Sequence, residues 1–270
     1  EFPWQVSVRA YDTHLCGGTI IGKRHILTAG HCIVGVTEAP YSEMTVVTGS
    51  YTQRPGTGKA YRVKDVVVHK QYVALTCSET LEASRWVRLR ARTLSSLANL
   101  LIILRHRHSE NGNNFFLLLF FFLFLQLDTE IDMNTYQSPI SLPDEDAPVH
   151  VVGLVSGWGH KDFDDFPSGQ FSTILQKADM IILSNDECQD AHKFIIDETQ
   201  ICGFKDNYIG TCAGDDGSSL VYGGAVVGIA SWYYPCGLGV PDVYTRVYHY
   251  MPWILDVMMG LHLSHCAMDT

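Results

Sequence analysis

The feature that most constrains this chain is a rhythm of short β-type runs cut by turn residues, present in two stretches and absent between them. From Glu1 to about Tyr72 the runs are Trp4 to Val8, Thr19 to Ile21, His25 to Thr28, Met44 to Thr48 and Arg62 to Val68, separated by Gly, Pro and Asn/Asp/Ser turns. From about Leu127 to Tyr248 they are Val149 to Val155, Ile174 to Leu183, Leu220 to Tyr222, Ala225 to Ser231 and Val243 to Val247. Runs of this length read as strands, and turn-punctuated series of them predict an all-β architecture with two flanks. One helix is expected near the end, where Met251, Ile254, Leu255 and Met258 recur at i, i+3, i+4 and i+7 and Pro252 falls in the first turn. At 270 residues, 46% of them hydrophobic, the chain can bury a sizeable core, and all-β folds of this size form a single domain readily.

Residues 73–126 belong to neither flank. They shift to Leu, Arg and Ser, pass through a polar stretch from Arg105 to Asn114, and end in an unbroken Phe/Leu run from Phe115 to Leu125. Its eleven apolar residues fall short of the roughly 20 that cross a bilayer, so no membrane anchor is expected. Ordinary β-core sequence mixes Val, Ile, Thr and polar residues rather than repeating two letters. Phe codons are all pyrimidine, most Leu codons nearly so, and Gln126 can be encoded as CAG, which is how the end of an intron reads when translated. The segment is accordingly expected to pack poorly against the flanks.

Lys and Arg total 19 against 29 Asp and Glu, a formal charge of -10 that repels phosphate backbones and argues against nucleic acid as a partner. The eight cysteines lie in Gly- and turn-rich settings without paired CxxC motifs, which favours disulfides and an oxidising, extracellular compartment over zinc. The opening Glu1-Phe2-Pro3-Trp4 has neither a basic start nor an apolar core, so a secreted chain would be written here without its leader. His106 and His108 alternate with Arg, and His262 and His265 sit in the tail; both pairs read as solvated positions rather than metal ligands. No cofactor is implied.

Thr28-Ala29-Gly30-His31-Cys32, Cys16-Gly17-Gly18 and Gly214-Asp215-Asp216-Gly217-Ser218-Ser219-Leu220 closely resemble the trypsin/chymotrypsin-like serine protease family. Phe2-Pro3-Trp4-Gln5-Val6, Ser156-Gly157-Trp158-Gly159, Ser231-Trp232 and Val243-Tyr244-Thr245-Arg246-Val247 agree, in order, over residues 1–72 and 127–259. The resemblance implies two packed antiparallel Greek-key β-barrels with a short C-terminal helix and a site in the cleft between them. It also implies acyl-transfer chemistry: a hydroxyl nucleophile, an imidazole base, a buried carboxylate behind it, and two N–H groups for the oxyanion.

By that resemblance His31 is the catalytic histidine. Gapless alignment of the family's Gly-Asp-Ser-Gly-Gly-Pro puts Asp216 where the serine belongs, with Gly214 and Asp216 supplying the oxyanion N–H groups. A carboxylate there is a poor nucleophile, expected to pair with protonated His31 or fold over those N–H groups. Loss of the serine in a comparable enzyme costs about a millionfold, roughly 8 kcal/mol of transition-state stabilisation. Ser218 and Ser219 lie past the turn and should not inherit the position. The family's third member is the Asp of an Asp-Ile-Ala-Leu-Leu-like strand; Leu97 to Leu104, with Asn99 nearest the acid's place, matches weakly, and the acid-bearing strand is expected to be lost or displaced. Asp215 is the activation-pocket acid; next to Asp216, both carboxylates should resist ionisation.

In the specificity pocket the resemblance places Gly210 at the base, with Ser231, Trp232, Tyr233 and Asp242 on the walls. Tyr233 should narrow the pocket; Asp242 either offers a charge to Lys or Arg or lies in a solvated turn after Pro241. Implied disulfides are Cys16 with Cys32, Cys188 with Cys202, and Cys212 with Cys236, leaving Cys77 and Cys266. A further family bridge, between the positions of Gly153 and Tyr222, is missing at both ends.

The chain is thus expected to be a secreted, monomeric trypsin-like domain over residues 1–259, interrupted at 73–126 and followed by a tail at 260–270. As written it should bind a protein or peptide in its cleft without cleaving it, as a pseudoprotease. Two alternatives stand: an active endopeptidase whose true sequence carries Ser at 216 and an Asp-bearing strand in the middle, misread by faulty gene prediction, and a product that does not fold stably because its inserted segment replaces a core strand.

Overall fold

The computed structural model describes residues 1–33, 36–37, 39–69, 122–161, 170–193, 195–234 and 236–261. Asn99, Cys77, His106, His108, Cys266, His262 and His265 lie outside them, as does most of the segment 73–126.

Period-two burial builds the strands. In β5 (Lys59–Val68) Tyr61 and Val63 are buried while Arg62 and Lys64 face water, and in β8 (Gln176–Leu183) Met180 and Ile182 point inward while Asp179 and Ile181 are exposed. The other strands of the first flank are β1 (Gln5–Ala10), β2 (Thr13–Ile20), β3 (His25–Ala29), β4 (Met44–Thr48) and β6 (Phe122–Leu127). Those of the second are β7 (Val152–Gly157), β9 (Gln200–Phe204), β10 (Ser219–Tyr222), β11 (Ala225–Trp232) and β12 (Asp242–Arg246). Each flank closes on itself through antiparallel pairs: β1-β2-β3-β6-β5-β4 and β10-β11-β12-β9-β8-β7. Closure leaves neither sheet with an open edge, and register shifts at Val8/Arg9, Val63/Asp65, Leu220/Val221 and Ala230/Trp232 supply local bends. The expected helix is α2 (Met251–Met258); a second, α1 (Asn185–His192), was not foreseen. Among the described residues no helix is long and apolar enough to cross a membrane.

The expectation of poor packing does not hold for residues 122–126, the end of that segment and of its Phe/Leu run with Gln126 behind it. They form most of β6, paired with β3 from Ala29↔Phe122 to His25↔Gln126 and with β5 on the other side. Leu123, Leu125 and Leu127 point into the first barrel beside Val6, Ile20, Ile26 and Val46. Phe122 and Phe124 face the opposite way, into an apolar layer with Leu27, Val226, Ile229 and Ile254 that joins the barrels and α2. Both faces are therefore dry, and a strand dry on both faces reads as a continuous apolar run without alternation. Edge-to-face contacts of Phe122 with Tyr250 (5.1 Å) and Phe124 with Trp253 (5.0 Å) dock the helical end of the chain on β6.

Candidate active site

β3 delivers His31. The strand ends at Ala29 and turns through a 3-10 segment, Gly30–Cys32, that is tied to β2 by the Cys16–Cys32 disulfide. Facing it is the turn before β10, closed by Asp215 N–H on Cys212 O (2.9 Å) and Ser218 N–H on Asp215 O (2.9 Å), and tied to β11 by the Cys212–Cys236 disulfide just beyond. Gly217, at φ +80°, must be glycine: a Cβ there would stand 2.3 Å from Thr28 Oγ1 and 2.6 Å from Gly17 O. A direct hydrogen bond, Gly17 N–H to Asp216 O at 2.8 Å, clamps this turn to the first barrel.

The clamp brings His31 and Asp216 together. His31 Nε2 lies 3.0 Å from Asp216 Oδ1, both side chains partly buried. Oδ2 of the same carboxylate accepts from the Tyr233 hydroxyl at 2.7 Å, and that hydroxyl also lies 2.9 Å from Cys212 O. Burial pushes the Asp216 carboxyl up, but His31, Tyr233 and the backbone of Gly214 together outweigh it and hold it below the ordinary carboxylate range. Here the expectation that Asp215 and Asp216 both resist ionisation is corrected for Asp216, because a partner compensates each oxygen. Asp215 is different: among the described residues it accepts from the backbone N–H groups of Gly159 (2.7 Å) and Cys212 (3.1 Å), and burial carries it to about 7, with Asp216 adding to the rise.

Gly214 and Asp216, expected from the resemblance to supply the oxyanion N–H groups, both lie on this turn. Gly214, at φ +97°, has its Cα close to the Phe171 ring, and a Cβ would meet that ring at 2.7 Å. Its carbonyl is 3.0 Å from His14 Nε2, whose Nδ1 is 2.8 Å from Ser7 Oγ. A carbonyl only accepts, so Nε2 carries the proton and Nδ1 accepts from Ser7. Burial drives His14 down to about 4 and keeps it neutral. The sequence reading missed His14 and Ser7, because a lone histidine in a β-run carries no signature of its partner 200 residues away.

Ser218 and Ser219 are unsuitable as nucleophiles: they are 0% and 1% exposed, and Ser218 Oγ accepts from Gln5 Nε2 at 3.1 Å. Ser231, on β11, is buried with its Oγ unpartnered, and Trp232 follows it, packed edge-on against His192. Asp242 opens β12 and is 2% exposed, which overturns the solvated-turn reading. Its Oδ2 accepts the Thr211 N–H at 2.6 Å, and burial raises it to about 7 against the lowering effect of the Thr211 backbone and side chain. Gly210 makes room for it, since a Cβ there would lie 2.8 Å from Oδ2. The third disulfide, Cys188–Cys202, pins α1 to β9 away from the cleft.

Two closed barrels with a histidine and the Asp216 turn facing across their junction invite comparison with known proteins. The trypsin family model matches residues 1–112 and 122–254. Chymotrypsin-2 of Vespa crabro is 27% identical over 259 residues, covering 94% of this chain and 93% of that protein. In structure the chain superimposes on neuropsin, a serine protease expressed in the limbic system of mouse brain, with a TM-score of 0.70 and 24% identity over 96% of this chain and 95% of that one. With a family match over most of its length, interrupted at residues 113–121, this chain belongs to the trypsin family.

Proposed function

We propose that this protein engages a peptide or protein segment in the cleft between its barrels and does not run acyl transfer. The observation that carries the reading is the state of Asp216: one oxygen is held by His31, the other by Tyr233, and Gly214 adds a backbone hydrogen bond. The proton acceptor of a protease is here an ion-pair partner, and a donor meant for the oxyanion is spent on a resident carboxylate. Attack by that carboxylate would in any case leave a mixed anhydride rather than an ester. Three disulfides support a secreted protein, because such bonds persist in oxidising compartments.

The test is hydrolysis of peptide substrates with basic and with apolar residues before the scissile bond, alongside capture of the same peptides by the intact chain. Binding without turnover supports the reading; turnover by the unaltered chain overturns it. A second reading, an active endopeptidase whose genuine sequence carries Ser at 216, draws support from the turn itself. Gly214 and Gly217 keep their positive φ, and residue 216 stays within hydrogen-bond reach of His31.

A further inference from the structure

Away from the cleft, a groove of about 600 Å³ opens on the second barrel, between the loop before β7, the loop before β9 and the starts of α1 and α2. It lies at the Arg246 end of β12, about 14 Å along the strand from Asp242. One wall is charged and polar, made of Asp146, Asn185, Glu198 and Arg246; the other is Tyr248, His249, Met251 and Pro252. Arg246 has no donor left for a ligand. Its Nη1 donates to both Asp146 oxygens (3.0 and 2.8 Å), its Nη2 to Asn185 Oδ1 (2.8 Å) and Gln200 O (2.7 Å), and its Nε to Gln200 O (3.0 Å). These five hydrogen bonds match the five N–H groups of a guanidinium, and the same contact neutralises Asp146. Glu198 is different: it is exposed and, among the described residues, forms no ion pair, and the same holds for Asp144 and Glu145 on the neighbouring loop. The cation of the groove is spent and its anion is not.

We propose that this groove docks a basic segment of a partner protein, with an arginine or lysine pairing with Glu198 while an apolar neighbour packs on Met251, Pro252 and the exposed ring of Tyr248. Its volume falls in the range of sites that enclose drug-sized ligands, enough for a pair of large side chains. Charge complementarity selects the occupant. The unspent charge in and beside the groove is negative, and the formal charge of -10 on the whole chain steers cations toward it and anions away. Residues 262–270, which follow α2, contain no Lys or Arg and do not supply the cation. The groove shares no residue with the pairing of His31 and Asp216, so docking here is independent of what the cleft does.

The probe is the labelled peptide Arg-Leu-Arg-Leu carrying a benzophenone, titrated against the full chain by fluorescence anisotropy and then photo-cross-linked, with Glu-Leu-Glu-Leu as its control. Glu198→Gln should weaken binding of the basic peptide about fivefold, and Glu198→Lys further. Glu43→Gln removes the same charge from an exposed position just before β4 in the first barrel and should leave the affinity unchanged. Both glutamates face water, and circular dichroism establishes that each variant is folded. The cross-link should fall between Tyr248 and Pro252. Equal weakening by Glu198→Gln and Glu43→Gln would reduce the effect to net charge and overturn the groove. So would a cross-link on His31 or its neighbours in the cleft, or the absence of saturable binding below about 1 mM peptide. Light scattering completes the test: a dimer that Glu198→Lys dissociates would put a second copy in the groove and overturn the basic partner.

Discussion

His31 Nε2 and Asp216 Oδ1 stand 3.0 Å apart, and they come from different barrels, one from the end of β3 and the other from the turn before β10. The geometry of a base facing a nucleophile is thus present, with a carboxylate in the nucleophile's place. A carboxylate at 216 leaves no hydroxyl there for His31 to activate, and the contact ties the two barrels together.

Replacing Asp216 with Ser should return a hydroxyl to His31 without restoring the family rate. In the stretch Leu97 to Leu104, which matches the family's Asp-Ile-Ala-Leu-Leu-like strand weakly, Asn99 stands nearest the place of the acid and no Asp or Glu is present, so the histidine is expected to lack its usual carboxylate. Loss of that acid's effect on histidine tautomer costs about 10⁴ in turnover in a comparable enzyme. Asp216→Ser is expected to hydrolyse peptides detectably, about 10⁴-fold below a complete triad, with the unaltered chain inert. Steady-state assays of both proteins check this, and full activity in the variant would locate an intact acid elsewhere.

Part of the fold's stability should be lost as pH rises through the acid range, and Asp242 carries a share of that loss. Asp242 rises from 3.8 to about 7 on burial, so the folded chain holds its proton more tightly than the unfolded chain. Its contribution favours the fold below the unfolded value and is lost as pH climbs toward 7. Asp242→Asn should therefore gain on the unaltered chain progressively between those pH values, by up to about 4 kcal/mol. His14, lowered to about 4, acts oppositely, losing stability as pH falls from 6.5, but it is present in both proteins and cancels in the difference. Urea unfolding at a series of pH values measures the gap; a constant gap would refute the assignment.

Cross-linking β7 to β10 should stabilise the second barrel. Leu220 pairs with Val155 and Val221 with Leu154, so the next step in register sets Tyr222 opposite Gly153. A disulfide from Gly153→Cys and Tyr222→Cys should add about 2–4 kcal/mol by restricting the unfolded chain. Leu220 must shift slightly, since a Cβ at Gly153 would meet its Cδ1 at 2.9 Å. Comparing urea midpoints of the oxidised double variant and of the Gly153→Cys and Tyr222→Cys single variants, all with the three native disulfides intact, gives the answer.

The Phe/Leu run should prove indispensable where it forms β6. Phe124 is 0% exposed and packs on Trp253, and Phe124→Ala should cost about 3–5 kcal/mol by urea unfolding. Deleting residues 115–126 removes the strand between β3 and β5, and the deleted chain should lose cooperative unfolding. A deletion that still melts cooperatively would show that another segment can take the slot, as expected if the run were not part of the genuine protein.

Much of the fold could be read locally. The run Met44 to Thr48 coincides with β4, and the i, i+3, i+4, i+7 spacing from Met251 marks α2. β6 escaped because its two apolar faces erase alternation, the signal by which a strand is recognised. α1 had a readable start, Ser184 and Glu187 in a capping box, but its polar body hides the apolar periodicity that usually announces a helix.

By itself the sequence determined two all-β flanks, the family resemblance, and a carboxylate at the nucleophile position, because each of these is written in residues close along the chain. Only the tertiary structure decided what that carboxylate does. Tyr233 and His31 reach Asp216 from the segments that follow β11 and β3, His14 holds Gly214 across 200 residues, and Asp242 is buried rather than solvated. Such contacts depend on how the barrels close and dock, and burial and long-range hydrogen bonds, unlike turns and periodicity, leave no local trace in the order of residues.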